Sequence, residues 1–364
     1  MFITNSNVAA PRGGRALLSA LHWRALQDVV GDTIRLQFMT GHSTALRATW
    51  GYIDGVTPDT IADLIAMIER DHVAFVWLDG SNFGTLAAAI RQRAPSVVIL
   101  TFFHNVETRF FLGLVRYAPA LRALAVLLAN YLAERRAVRS SDRLIALSER
   151  DSAALARLYG KSATDIAPMA VEDVVPEAHP HAEPLAPDAP LIFVGGSFYA
   201  NLAGMRWFAE RVAPRIAADA QVIGYGMEVL RAELSKYPNI EVVGPVDHLD
   251  VSYRSACAAI APIFDGSGMK TKVAEALMYG RPIVGTSEAF SGYEAVAGQA
   301  GWVCDTAEEF VSAVAIAKAT SLTSFDPALR ALYEKFYSPA ALRHRLVDIL
   351  AAAGLMSPGP SLTQ

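Results

Sequence analysis

The sequence predicts an α/β protein made of two Rossmann-like domains. Its 364 residues are many for one domain and suit two domains of ordinary size. Apolar strands alternate with amphipathic helices in both halves, which is the pattern of parallel sheets covered by helices on both faces. Residues 171–190 contain five prolines and no apolar periodicity, as expected of a linker between the halves.

The first domain is predicted at 1–170. Apolar runs predict its strands, and segments of helical periodicity follow them. Ser148 can cap one of these helices, because Asp151 stands three residues later and Gly160 follows its end. The predicted strands are 2–4, 72–78, 97–103 and 143–147, and the predicted helices are 14–29, 83–93 and 149–160.

The second domain is predicted at 191–335. Gly195-Gly196-Ser197 after its first strand is the turn into the first helix of a new Rossmann-like unit. A helix at 339–353 and a polar tail at 354–364 follow. The predicted strands are 191–194, 220–223, 240–243, 258–264 and 283–285, and a further helix is predicted at 327–335.

Composition excludes several classes of protein. A hydrophobic fraction of 52% with 19% charged residues describes a well-cored globular chain. The net charge of −4 argues against nucleic acid as the main partner. Cys257 and Cys304 lie in apolar surroundings and are expected to be buried thiols. No metal-ligand spacing occurs, so neither a structural metal nor a catalytic metal is expected.

We expect a cytoplasmic protein. The first residues lack a charged segment followed by an apolar core, so no signal peptide is predicted. The most apolar long segment, 110–137, is interrupted by Arg116, Pro119 and Arg122. It cannot supply the roughly 20 consecutive apolar residues that a membrane span needs.

Residues 261–294 carry most of the functional information. An apolar strand is followed by Gly266-Ser267-Gly268, Met269 and a short helix. A glycine loop before a helix N-terminus presents backbone N–H groups and a positive dipole end, which together can hold phosphate. Lys270 and Lys272 add full positive charges, and Glu275 could accept hydrogen bonds from paired sugar hydroxyls. The plainer alternative is a strand-helix-strand crossover with solvated lysines and a surface glutamate.

This segment resembles the donor-binding motif of family 4 type retaining glycosyltransferases of the GT-B fold (glycosyltransferase group 1). It is closest to the branch with the pattern G-x-G-x-K-x-K-x-x-E-A. Glu275 matches the second motif glutamate, whereas Ser267 stands in place of the first, and Asp265 lies two residues away. Two Rossmann-like domains facing each other across a cleft are implied. The resemblance also implies that helix 339–353 packs back on the first domain.

The same resemblance implies roles for the site residues. Lys270 and Lys272, with the backbone of Gly266, Ser267, Gly268 and Met269, would hold the diphosphate of a nucleotide sugar, and Glu275 would hold its ribose. No cofactor other than this co-substrate is expected. Tyr225, Gly244 and Val246 stand where related enzymes pack the nucleotide base.

Two further sites are predicted in the first domain. His104 follows a buried strand at its carboxyl end, where open α/β sheets bind ligands, and His-Asn-Val-Glu matches this branch of the family. It is expected to face the donor sugar, with Glu107 supporting the turn; a backbone-bonded loop histidine is the alternative. Gly13-Gly14 lies between a strand and a helix, and the resemblance implies that its backbone approaches the donor phosphates or the acceptor; an ordinary glycine turn is the alternative.

The segment 109–143 contains seven arginines among apolar residues. Such a surface could rest on an anionic membrane that holds a lipid-linked acceptor. The alternative is a core helix with an arginine-rich solvated face.

The predicted function is transfer of a sugar, with retention, from a nucleotide-diphosphate donor. The acceptor would be a glycan, a lipid-linked molecule or a small molecule, in bacterial surface polysaccharide or glycoconjugate synthesis. Two alternatives stay open. One is a degenerate, non-catalytic binding subunit, which the missing first glutamate favours. The other is a GT-B nucleotide-sugar epimerase or hydrolase, for which the sequence offers no acid and base pair.

Overall fold

The computed structural model of the chain describes residues 1–11, 13–41, 44–117, 120–175, 182–266 and 268–357. Four predicted features therefore lie wholly or partly outside the described residues. These are the contribution of Ser267 to the glycine loop, part of the arginine-rich segment 109–143, the middle of the proposed linker and the end of the tail. The chain divides into two compact units, Met1–Ala170 with Pro339–Gln364, and Val171–Ser338.

The first unit contains a six-stranded parallel sheet with the spatial order β2-β1-β3-β4-β5-β6. Its strands are β1 (Phe2–Thr4), β2 (Leu36–Phe38), β3 (Phe75–Leu78), β4 (Val98–Phe103), β5 (Arg143–Ala146) and β6 (Asp165–Ile166). Its helices are α1 (Gly14–Val30), α2 (Ala45–Ala48), α3 (Pro58–Arg70), α4 (Gly84–Arg93), α5 (Glu107–Tyr117), α6 (Leu121–Ser140), α7 (Glu149–Tyr159) and α15 (Pro339–Ala352).

Local sequence explains where these helices begin and how closely they pack. The Ser148 hydroxyl accepts from Asp151 N at the start of α7, and Gly160 ends that helix in the left-handed conformation, which confirms both predicted signals. Helix α4 packs directly against α6. A Cβ atom on Gly84 would lie 1.8 Å from the carbonyl oxygen of Ala133, so only glycine permits this approach.

The last helix belongs to the first unit. Helix α15 packs against α1, and its buried residues include Leu342 and Leu346. Arg343 forms an ion pair with Asp28 of α1 at 3.1 Å. The first unit is therefore assembled from two separate stretches of chain.

The second unit contains another six-stranded parallel sheet, with the order β12-β11-β10-β7-β8-β9. Its strands are β7 (Leu191–Val194), β8 (Ala220–Ile223), β9 (Ile240–Gly244), β10 (Ala258–Ala261), β11 (Ile283–Gly285) and β12 (Gly301–Val303). Its helices are α8 (Tyr199–Arg211), α9 (Arg231–Leu234), α10 (Asp250–Ser255), α11 (Thr271–Met278), α12 (Ala297–Ala300), α13 (Ala307–Thr320) and α14 (Pro327–Phe336). Cys257 and Cys304 are free thiols in its core, as predicted.

Two of the differences from the sequence-based expectation have a clear cause in the structure. Strand β10 ends at Ala261 rather than Phe264, because Pro262 has no N–H to continue the ladder and Phe264 is exposed. The proposed linker, where it is described, belongs to the second unit, since Leu185 N donates to Leu322 O at 2.9 Å. In the described parts of the chain, no helix is long and apolar enough to cross a membrane.

Candidate functional site

The glycine loop of the second unit connects β10 to α11. Gly266 and Gly268 have φ angles of 132° and 67°, a conformation that glycine adopts without strain. Lys270 is the N-cap residue of α11, so the loop leads directly into the positive end of a helix. Met269, the last residue before Lys270, is buried. The described part of this loop therefore has the predicted order of strand, glycine turn and helix N-terminus.

The Lys270 side chain folds back into this loop. Its Nζ donates to Gly268 O at 2.9 Å and forms an ion pair with Glu288 Oε1 at 3.0 Å. Tyr293 donates its hydroxyl to the Lys270 carbonyl oxygen at 2.8 Å, which fixes the backbone at this point. The ammonium group is thus held inside the glycine loop and is largely buried, with 12% of its side chain exposed.

The Lys272 side chain points towards the turn after β7. Its Nζ donates to Asn201 Oδ1 at 3.2 Å, and Asn201 Nδ2 donates to Gly196 O at 2.8 Å. A Cβ atom on Gly195 would lie 3.3 Å from this Nζ. Burial lowers the pKa of Lys272 to about 8, although Glu275 acts in the opposite direction. An anion bound here would favour the charged form of the lysine.

Glu275 lies one turn further along α11 and is partly buried. Burial raises the pKa of this carboxyl group, while Lys272 and a hydrogen bond from the Thr271 side chain lower it. Glu275 and Lys272 are three residues apart, so they share one face of the helix. Lys272 and Glu275, both predicted to bind the sugar donor, therefore lie close together in the structure.

The predicted base-binding residues lie at the same carboxyl edge of the second sheet. Gly224 N donates to Gly244 O at 2.8 Å, which ties the turn after β8 to the end of β9. Ser197 N donates to Tyr225 O at 3.1 Å, so this turn also adjoins the one beside Lys272. The Tyr225 ring is 83% exposed and Val246 is at the surface, which leaves both side chains accessible to a ligand.

Asp265 is engaged within its own loop. Its Oδ1 accepts from Gly266 N at 2.7 Å, and its Oδ2 accepts from the Tyr199 hydroxyl at 3.2 Å. These contacts give Asp265 a role in shaping the loop. Among the described residues, no three His, Cys, Asp or Glu side chains are grouped so as to hold a metal ion.

In the first unit, Gly13 and Gly14 begin α1. Gly13 has a φ angle of 82° and its carbonyl accepts from Leu17 N at 3.1 Å. The next residue, Arg15, reaches from the helix towards the turn after β4, where its Nη1 lies 3.9 Å from Glu107 Oε1. Gly13 and Gly14 thus start the helix that faces the predicted histidine turn.

His104 is buried and paired with a carboxylate that follows β3. Its Nε2 lies 2.9 Å from Asp79 Oδ1, and Thr4 donates its hydroxyl to Asp79 Oδ2 at 2.7 Å. Burial alone would raise the pKa of Asp79, but His104 and His22 hold that pKa well below its usual range. Burial lowers the pKa of His104 more than Asp79 raises it. Because both pKa values are lowered, Asp79 is ionised and His104 is neutral near pH 7.

Glu134 of α6 holds the turn that carries His104. This fully buried carboxylate accepts from Glu107 N at 2.9 Å and from Thr108 N at 3.1 Å, which are the first N–H groups of α5. It also accepts from the hydroxyls of Ser81, at 3.0 Å, and Tyr159, at 2.6 Å. Glu134 therefore fixes the turns after β3 and β4, which carry Asp79 and His104, relative to each other.

Glu107 is a partly exposed carboxyl group at the start of α5. Burial raises its pKa to about 7, against the attraction of Arg15, and the nearby Glu134 acts in the same direction as burial. The sequence predicts only a supporting role for Glu107. Its position beside Arg15 and its raised pKa also give it the properties of a proton-exchanging group near neutral pH.

Sequence reasoning assigned no site role to four residues of these clusters: Asp79, Glu134, Asn201 and Glu288. Asp79 directly follows a predicted strand, so its position at a carboxyl end could have identified it. Glu134 is one of two acidic residues among the seven arginines of 109–143, which is a weaker signal. Asn201 and Glu288 contact lysines far along the chain, and nothing local in the sequence indicates those pairs.

Comparison with known proteins agrees with the architecture. Residues 189–317 match the family described as glycosyl transferases group 1. No curated protein sequence matches the chain. Among solved structures, the lipopolysaccharide outer core galactosyltransferase WaaB in its apo form is similar with a TM-score of 0.64 and 13% identity, over 96% of this chain and 98% of that one.

Two other solved structures are similar along almost the whole chain. Anabaena HepE in complex with UDP has a TM-score of 0.65 and 11% identity, over 96% of this chain and 99% of that one. WaaG, a glycosyltransferase involved in lipopolysaccharide biosynthesis, has a TM-score of 0.57 and 15% identity, over 98% and 99%. At these identities the likeness establishes the fold. The protein has the GT-B fold, and residues 189–317, within its second unit, are similar to glycosyl transferases group 1.

Proposed function

We propose that this protein is a retaining glycosyltransferase that moves a sugar from a nucleotide-diphosphate donor to an acceptor. The acceptor is a glycan, a lipid-linked molecule or a small molecule in bacterial surface polysaccharide or glycoconjugate synthesis. The observation that carries the proposal is the pair of lysines at the glycine loop: the Lys270 ammonium lies within the loop and that of Lys272 lies beside Asn201. The solved structures to which this chain is similar include HepE in complex with UDP-glucose, which supports a nucleotide sugar as donor.

The lysines act on the leaving group. As the bond between sugar and phosphate breaks, negative charge develops on the diphosphate. Lys270, Lys272 and the N–H groups at the start of α11 stabilise that charge from a fixed position. The acceptor hydroxyl attacks from the same face of the sugar, and its proton passes to the departing phosphate oxygen. Full positive charges on two lysines replace a metal ion, so the transfer is metal-independent.

His104 orients the sugar. With Nε2–H donated to Asp79, the other ring nitrogen, Nδ1, carries the lone pair and accepts a hydrogen bond from a sugar hydroxyl. A neutral histidine suits this role, because a cation beside the forming oxocarbenium ion would oppose its positive charge. Glu275 holds the ribose through its paired hydroxyls.

The direct test is a screen of nucleotide sugars. Thermal-shift measurements with UDP-, GDP-, ADP- and TDP-sugars identify the donor, since a ligand that binds only the folded state raises the melting temperature. The purified protein should then slowly release nucleoside diphosphate from that donor. Binding without release would favour the non-catalytic subunit, and no binding of any nucleotide sugar would contradict the proposal.

We also propose that the protein works in the cytoplasm and rests on the inner face of the plasma membrane through α6. Leu121, Leu124 and Leu128 share one helix face and are 87%, 50% and 48% exposed, and Arg122 beside them is exposed. An apolar stripe beside an exposed arginine suits an anionic lipid surface. Sedimentation with anionic vesicles should exceed that with zwitterionic vesicles, and Leu124→Glu should reduce it. Equal sedimentation of the wild type and Leu124→Glu with anionic vesicles would contradict the proposal that this surface binds the membrane.

A further inference from the structure

Glu288 is held rigidly at the carboxyl end of β11, next to the glycine loop. Thr286 N donates to Ala261 O at 3.2 Å, and Ala289 N donates to the Thr286 hydroxyl at 3.1 Å, so both sides of Glu288 are fixed. Ser287 is fixed in turn by Asp305, to which its backbone N–H donates at 2.9 Å. The backbone of Glu288 thus has little freedom to move away from the loop.

The carboxylate of Glu288 contacts the Lys270 ammonium group, the cation that would bind a diphosphate. Its Oε1 lies 3.0 Å from Lys270 Nζ, with 16% of the glutamate side chain and 12% of the lysine side chain exposed. A Cβ atom on Gly266 would lie 3.6 Å from the same Nζ, so the ion pair sits at the surface of the glycine loop. Charges this poorly exposed are weakly screened by solvent.

We propose that Glu288 competes with the bound diphosphate for Lys270, so that this carboxylate sets how tightly the nucleoside diphosphate product is held. The inference rests on the proposed function, because it assumes that Lys270 binds the diphosphate. When the diphosphate is bound, Lys270 has two anionic partners, and these repel each other. When the diphosphate leaves, Glu288 is already in place to pair with the ammonium. Removing the carboxylate therefore strengthens diphosphate binding and slows its release.

The experiment is a double-mutant cycle with inorganic diphosphate, which needs no knowledge of the base or sugar. Calorimetric titration at one pH and salt concentration compares the full-length wild type with Glu288→Gln, Lys270→Met and the double variant. Glu288→Gln should bind diphosphate about tenfold more tightly, which corresponds to about 1.4 kcal/mol. This gain should vanish when Lys270 is Met.

A matched control is Glu294→Gln. Glu294 lies six residues along, is exposed, and accepts from Gly292 N at 2.9 Å. This variant removes one negative charge from the same segment and should bind diphosphate like the wild type. Glu288→Ser provides a second way to remove the charge if the glutamine variant has a lowered melting temperature.

The outcomes separate the inference from the proposed function. Unchanged or weaker diphosphate binding by both Glu288 variants overturns the inference, provided that Lys270→Met weakens binding. A gain that persists with Met at position 270, or that appears equally in Glu294→Gln, also overturns it, because the effect would then not act through Lys270. Failure of the wild type to bind diphosphate, or no loss of binding in Lys270→Met, overturns the diphosphate site itself and the proposed function with it.

Discussion

The pKa of Lys272 predicts a specific dependence of ligand affinity on pH. With a pKa of about 8, the ammonium is charged in about nine-tenths of molecules at pH 7 and about one-tenth at pH 9. If the charged form binds the diphosphate, affinity should fall about tenfold over this interval. In Lys272→Arg the guanidinium stays charged throughout, so this cause of the decline is removed.

The assay is calorimetric titration of inorganic diphosphate at pH 7, 8 and 9. Its result is the ratio of wild-type affinity to Lys272→Arg affinity, which cancels the titration of the ligand. The titration of Lys272 does not destabilise the fold over this range, so the predicted loss of affinity is not a result of unfolding. The pKa of Lys272 is lowered from 10.5 to about 8 in the folded chain, so the unfolded chain binds more protons between these pH values. The contribution of Lys272 to the free energy of unfolding therefore rises as the pH rises from about 8 to 10.5. A ratio that stays constant from pH 7 to pH 9 would refute the reasoning.

Four further predictions concern the donor identified by the screen. The double variant Lys270→Met/Glu288→Gln should turn over about 100- to 1,000-fold more slowly than Glu288→Gln, because the loss of one hydrogen-bond donor to the developing charge costs about 2.7 to 4 kcal/mol. A double variant whose turnover is within threefold of that of Glu288→Gln would contradict the role of Lys270. Glu275→Gln should weaken donor binding at least about tenfold, since hydrogen bonds to charged groups contribute about 1.5–3 kcal/mol. If calorimetry shows normal donor affinity and the melting temperature is only slightly lower, Glu275 has a structural role and does not bind the donor. Asp79→Asn should lower turnover by at least about tenfold through the His104 tautomer while diphosphate binding stays normal; unchanged turnover rejects the pairing as functional. Activity should persist in EDTA, and complete loss restored by magnesium or manganese would contradict the lysine-based mechanism.

Most of the fold could be predicted because most of its strands and helices have a recognisable local sequence pattern. Strands β7, β8 and β11 have the predicted bounds, since each is a short apolar run ended by glycine or a polar residue. Strands β2, β6 and β12 are not among the predicted strands. Leu36–Phe38 is an edge strand whose residues are largely exposed, and Asp165–Ile166 is only two residues long, so neither has the apolar pattern of a central strand.

The candidate site could be predicted only where its residues are neighbours in sequence. Lys270, Lys272 and Glu275 lie within one loop and one helical turn, so spacing alone relates them. The contacts that hold these side chains join distant segments: Lys272 to Asn201 and Lys270 to Glu288. Such pairs depend on which strands lie side by side in the sheet, and the order of strands cannot be read from local pattern.

The return of α15 to the first unit has a consequence for how the protein is made. A ribosome releases the chain from its N-terminal end, and domains generally fold as they emerge. The second unit, Val171–Ser338, is complete before α15 has been synthesised, whereas the surface of α1 that packs against α15 stays uncovered until then. The half of the protein that is translated first is therefore the half that is finished last.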